Sequence, residues 1–137
     1  MPTNAWDATV KQLYFADHGT IFTADTIKIG DEYDVIADVE IGGAFHQIAD
    51  EERLIVTVTN RTTNQVIETK TLTQTVPASQ TQTPLRKSLT IVFGPLLATQ
   101  ASDGDELQAR CSYKFTGGAF TRTTRAESQS AIVDGGP

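Results

Sequence analysis

Gly30-Asp31-Glu32-Tyr33-Asp34-Val35-Ile36-Ala37-Asp38-Val39-Glu40-Ile41-Gly42-Gly43-Ala44-Phe45 recurs as Gly104-Asp105-Glu106-Leu107-Gln108-Ala109-Arg110-Cys111-Ser112-Tyr113-Lys114-Phe115-Thr116-Gly117-Gly118-Ala119-Phe120. Both copies open with Gly-Asp-Glu, alternate apolar with polar residues, and close with Gly-Gly-Ala-Phe, the second after one inserted residue. Successive side chains of a strand point to opposite faces. Tyr33, Val35, Ala37, Val39 and Ile41 therefore share one face, as do Leu107, Ala109, Cys111, Tyr113 and Phe115. Each repeat reads as a strand with one buried face, and the pair reads as the centres of two packed sheets.

Five further strands follow outward from the repeats. Thr26-Ile27-Lys28-Ile29 leads into the first Gly-Asp turn, and Leu54, Val56 and Val58 alternate with Ile55, Thr57 and Thr59. Asn60-Arg61-Thr62-Thr63-Asn64 is dense in turn formers and predicts a hairpin into Val66 to Thr75. That return strand carries threonine on both faces and an embedded Lys70, the composition of a sheet edge. Pro77 to Pro84 is a Ser/Thr/Gln linker before a strand with Leu85, Leu89, Ile91 and Phe93 inward, stopped by Gly94-Pro95. Gly117-Gly118 turns the second repeat into a last strand over Phe120 to Arg125.

The ends read differently. Trp6, Val10, Leu13 and Tyr14 fall at helical spacing between Asn4 as a cap and Gly19 as a stop, so residues 1–19 read as an N-terminal arm with a short helix. Dense β-branched and aromatic residues make a strand over Val10 to Phe15 the competing reading. Residues 126–137 read as a polar C-terminal tail. The expected fold is all-β, an antiparallel sandwich of seven strands over residues 20–125.

With 137 residues and 39% hydrophobic content the chain has room for one core. No apolar run approaches the roughly 18 residues of a membrane span, and no secretory signal is visible in Met1-Pro2-Thr3-Asn4-Ala5-Trp6-Asp7. A net charge of -6 argues against a general nucleic-acid binder, whose affinity comes from phosphate neutralisation. The charge is uneven. Residues 1–52 hold eleven acidic groups against Lys11 and Lys28, whereas residues 53–137 hold nine basic groups against six acidic ones. Such asymmetry suits orientation of a partner or a second copy.

Three stretches carry a resemblance: Gly30-Asp31-Glu32-Tyr33, the Asn60 to Asn64 hairpin, and Ser102-Asp103-Gly104-Asp105-Glu106-Leu107-Gln108-Ala109-Arg110-Cys111. With the strands around them they resemble the immunoglobulin-like superfamily, of the CARDB and fibronectin type III sort that lacks an inter-sheet disulfide. The resemblance places Ala37 and Cys111 where immunoglobulin domains carry their bridge, so half of that bridge is absent. The tryptophan of the third strand is absent too, since Trp6 is the sole Trp.

Strands running in one direction bring both Gly-Asp-Glu segments to one end, where Asp31, Glu32, Asp103, Asp105 and Glu106 form a candidate cation cluster without the Asp-x-Asp-x-Asp-Gly spacing of a calcium loop. The other end collects both Gly-Gly-Ala-Phe turns. Trp6, Tyr14, Phe45, Phe120, Arg122 and Arg125 are the candidate partner-binding residues. Two histidines, one inward cysteine and no nucleophile, zinc, phosphate or dinucleotide motif predict no catalytic residues and no cofactor. Asn60-Arg61-Thr62 matches a glycosylation acceptor on a turn. The expectation is a non-enzymatic structural or adhesive subunit of a virion or cell-surface assembly, a homo-oligomer or part of a larger one, with a carbohydrate- or cation-binding module as the alternative.

Overall fold

The computed structural model describes residues 4–136, so residues 1–3 of the expected arm and Pro137 of the expected tail lie outside the described residues. Among the described residues the chain forms β1 Ala8–Asp17, β2 Thr26–Lys28, β3 Tyr33–Ile41, α1 Gly43–Gln47, β4 Ala49–Asn60, β5 Gln65–Thr75, β6 Leu85–Phe93, β7 Glu106–Gly117, β8 Phe120–Glu127 and β9 Ala131–Asp134. A three-stranded sheet runs β1-β3-β6, and a six-stranded sheet runs β2-β9-β7-β4-β5 with β8 also on β7. The two repeats are β3 and β7, each flanked on both edges, and their expected inward residues are all buried. The fold is an all-β sandwich.

The helical reading of the N-terminus is corrected. Ala8–Asp17 pairs antiparallel with β3, and the register shifts between Val10 and Gln12. That bulge inserts Lys11, so Ala8 and Val10 before it and Leu13 and Phe15 after it all enter the core. The three-residue step from Val10 to Leu13 imitated a helix. At the other terminus Ala131–Asp134 pairs with both β7 and β2, so the segments read as arm and tail each supply a strand. The β2–β9 pair is parallel, an exception to the expected antiparallel order.

β8 and β9 share one edge of β7, with β8 along Arg110 to Gly117 and β9 along Glu106 and Leu107. Ser128 fills the break: its N–H donates to the Ala109 carbonyl, its Oγ accepts from the Ala109 N–H, and its carbonyl accepts from the Gln108 side-chain amide. β5 pairs only with β4, as the edge reading of its threonines required. Its Lys70 closes the adjacent seam by donating to the Val92 carbonyl at 2.6 Å and lying 5.6 Å from the Phe93 ring centre.

Candidate protein-contact site

The end of the sandwich defined by Gly42-Gly43 and Gly117-Gly118 is built by close backbone approach. Gly42 donates to Asp7 O at 2.8 Å and Phe45 donates to Ala5 O at 2.9 Å, clamping residues 4–7 onto the start of α1. A Cβ on Gly42 would stand 2.0 Å from Asn4 O and 2.4 Å from the Ala5 carbonyl carbon, and one on Gly117 would stand 2.6 Å from Ile48 O. The glycines are there for contact distance, and one inserted turn of helix replaces the simple turn expected after β3. The clamp sets Trp6. Its backbone N–H donates to Asn4 Oδ1, and its ring lies 5.4 Å from that of Phe120 at 45°.

Trp6 and Phe120 are 45% and 49% exposed, a large apolar pair held half in water. Phe120 and Arg122 sit on the side of β8 that faces the seam with β1, where Arg122 Nε lies 3.9 Å from Asp7 Oδ1. Three of the six residues expected to bind a partner thus converge. Gly42→Ala is expected to lower stability by about 1–3 kcal/mol through overpacking and to move Trp6 off Phe120. Thermal unfolding together with Trp6 emission checks both effects.

Three expected contact residues lie elsewhere. Phe45 is fully buried, edge-on to Phe115 with ring centres 4.7 Å apart, so it caps the core and offers no surface. Tyr14 is on β1 about 25 Å of strand from Trp6, half-buried in a polar cleft with Lys11, Asp25 and Glu127. Arg125 stands on the outer face of the large sheet, opposite Ser112.

The carboxylate cluster does not assemble. Asp105 is buried and accepts from Asn60 Nδ2 at 2.8 Å and Ser102 N at 2.9 Å, which hold its carboxyl below the usual range. Asp103 accepts from Gly135 N, while Asp31, Glu32 and Glu106 are exposed. Among the described residues no three His, Cys, Asp or Glu side chains are placed to hold a metal ion. The titratable candidates for chemistry are also engaged. Burial pushes the Cys111 thiol up, the His46 ring contacts Thr83 O at 2.8 Å, and His18 is held by Asp34.

Sequence reasoning missed two features. Glu52 occupies an inward position of β4 and is 1% exposed. Tyr113 Oη donates to it at 2.7 Å, Gln74 Nε2 at 2.6 Å, and Lys87 Nζ from the opposite sheet pairs with it. The signal was in phase: Glu52 steps by two to Leu54, and Lys87 lies between inward Leu85 and Leu89. The other is the loop after β1, where Ile21 and Phe22 are 75% and 73% exposed.

That loop is tightly built. Asp34 accepts from Gly19 N at 3.0 Å and holds His18 Nδ1 at 2.8 Å, and Thr20 folds back on Asp17 O. The hydrogen bond that Asp34 accepts from the His18 ring, with the charges of Asp34 and Glu32, raises the His18 pKa above its ordinary 6.5. A raised histidine stabilises fully below that ordinary value and loses its contribution as pH rises through the folded one. Amide exchange of Gly19 to Thr23, corrected for intrinsic rate, is therefore expected to be faster at pH 8.5 than at pH 5.5, with β7 amides unchanged.

No family model and no curated protein matches the chain. Solved structures do. The C-terminal domain of Wzt superposes with a TM-score of 0.58 at 7% identity, covering 98% of this chain and 77% of that one. The likeness is one of fold. BcpA, the major pilin subunit of Bacillus cereus, covers 94% of this chain at 12% identity, with 40% of its own length and a TM-score of 0.47. A β-glucosidase from Listeria innocua gives 0.46 over 16% of its length. Neither of these last two bears on function.

Proposed function

We propose that this chain is a non-enzymatic structural or adhesive subunit of a larger assembly, a virion or a cell-surface structure, joined through protein–protein contacts at the Trp6–Phe120 end. We read its sandwich as the immunoglobulin-like arrangement of the fibronectin type III sort, with β3 and β7 as facing centres. The observation that carries the function is the aromatic pair: Trp6 and Phe120 are clamped in place yet half exposed. Aromatic side chains and arginine are enriched in protein interfaces, and Arg122 stands beside the pair. The engagement of Cys111, His18 and His46 in burial or hydrogen bonds supports a role without catalysis.

The alternative, a carbohydrate-binding module, would use the same two rings as a platform, and titration with a glycan panel followed by Trp6 emission separates the readings. The direct test is the size of the chain in extracts of the cells that make it. It is expected to elute in an assembly far larger than its 14.8 kDa and to fall to monomer when Trp6→Ala and Phe120→Ala are combined. Elution of the unaltered chain as a free monomer would overturn the proposal.

A further inference from the structure

The outer face of the six-stranded sheet concentrates basic charge. Arg53 on β4 and Lys114 on β7 stand directly opposite one another, Arg125 on β8 stands opposite Ser112, and Arg110 lies four residues before Lys114 on β7. Strand geometry places the group within about 13 Å along β7 and about 10 Å across β4, β7 and β8. Arg53, Arg110 and Arg125 are exposed and Lys114 is half-buried. Arg110 is engaged by Glu127 at 3.3 Å, whereas among the described residues no acidic side chain pairs with Arg53, Lys114 or Arg125. The other carboxylates of this face stand at its ends, Glu51 at one, Glu106 and Asp134 at the other. Like charges directly opposed across a ladder destabilise a sheet. A chain of net charge -6 nonetheless leaves three adjacent cations without a carboxylate.

An anion from outside the chain would pair them. The outward positions beside the cations are filled by Ser112, Thr57, Thr73 and Thr123, and no aromatic side chain stands among them. Without rings the face lacks the stacking platform that single-stranded nucleic acid uses. An open sheet face also lacks the concavity that encloses a small free anion. Spaced cations interleaved with hydroxyls match a polymer that carries both anionic groups and hydroxyls along its length. We infer that this face binds an acidic polysaccharide bearing sulfate or carboxylate groups, with Arg53, Lys114 and Arg125 on successive anions and the Ser112 and Thr123 hydroxyls on the sugar. Each exposed ion pair is weak, so affinity comes from engaging several at once and falls as salt screens them. Phe120 and Arg122 face the other side of β8, toward β1, so this surface is separate from the Trp6–Phe120 end and does not depend on the assembly reading.

Titration of the purified chain with heparin, polygalacturonate, neutral dextran and a single-stranded oligonucleotide tests this. The chain is expected to bind at least one of the two acidic polysaccharides, with affinity falling steeply between about 50 and about 300 mM salt, and to ignore dextran. Binding to heparin alone assigns sulfate as the recognised group, and binding to polygalacturonate alone assigns carboxylate. Arg53→Gln, Lys114→Gln and Arg125→Gln combined are expected to weaken binding about tenfold or more. A control with Lys28→Gln, Arg61→Gln and Arg86→Gln removes the same charge from exposed positions off this face and is expected to change affinity less than about twofold. Separating the opposed pair relieves repulsion, so the first variant is expected to melt no lower than the wild type, which keeps its loss of binding distinct from unfolding. No binding to either acidic polysaccharide, equal losses in the two triple variants, or binding that salt leaves unchanged would overturn the inference. Tighter binding of the oligonucleotide than of both polysaccharides would also overturn it, assigning the face to nucleic acid.

Discussion

Lys87→Met is expected to lower the unfolding free energy by about 3 kcal/mol, because removing one member of a buried ion pair leaves the other charged and uncompensated. Glu52 has no exposed side-chain surface, and its two oxygens are shared among Lys87, Gln74 and Tyr113. The remaining two donors hold the loss to the low end of the range for buried pairs. Charge is the cause, so adding Glu52→Gln to Lys87→Met should return most of the loss while keeping an acceptor for the Tyr113 hydroxyl. A urea-denaturation cycle over the wild type, the two single variants and the double variant reads this as a coupling energy. Equal losses in Lys87→Met and in the double variant would mean that Lys87 contributes through packing of its stem. The pair also joins the sheets, since Glu52 is on β4 and Lys87 on β6.

Phe45→Ala should cost about 3–5 kcal/mol, the range for emptying a fully buried aromatic site. The ring is closed off from solvent and meets Phe115 edge-on, with Gly117 passing within 2.9 Å of it when a Cβ is added there. Phe120, its counterpart in the second repeat, is half exposed, and Phe120→Ala should change stability by less than about 1 kcal/mol. Two phenylalanines at matching positions of a repeat thus separate in effect. Phe45→Ala is expected to lower the melting temperature, and Phe120→Ala to weaken association. Comparing denaturant midpoints for the two variants checks the first half, and sedimentation checks the second.

The strands of the repeat were readable because they alternate throughout except at Ile36 and their inner faces are uniformly apolar. Tyr33 to Ile41 and Leu107 to Phe115 are buried where period two places them. Val10 to Leu13 misled for a local reason: a single bulged residue turns period two into a step of three, which sequence alone does not distinguish from a helix. Ala131 to Asp134 was hidden because four residues between polar neighbours carry little pattern, and the parallel pairing with β2 is non-local. At the site, Trp6, Phe120 and Arg122 were three of six residues named as partner-contact candidates, and the structure brings these three together. Phe45 was not separable from Phe120 before α1 turned it inward. The glycines hid their role, since close approach of residues 4 and 5 to Gly42 depends on the third dimension.

Hydroxyl-radical footprinting of the chain in its assembled and free forms, separated by size from cells that make it, tests the contact surface most directly. Oxidation of the peptides carrying Trp6 and Phe120 is expected to fall several-fold in the assembled fraction, with Val66 on the exposed edge strand β5 labelled equally in both. Equal labelling of Trp6 and Phe120 in the two fractions would contradict the assignment of that end as the surface through which this protein is held.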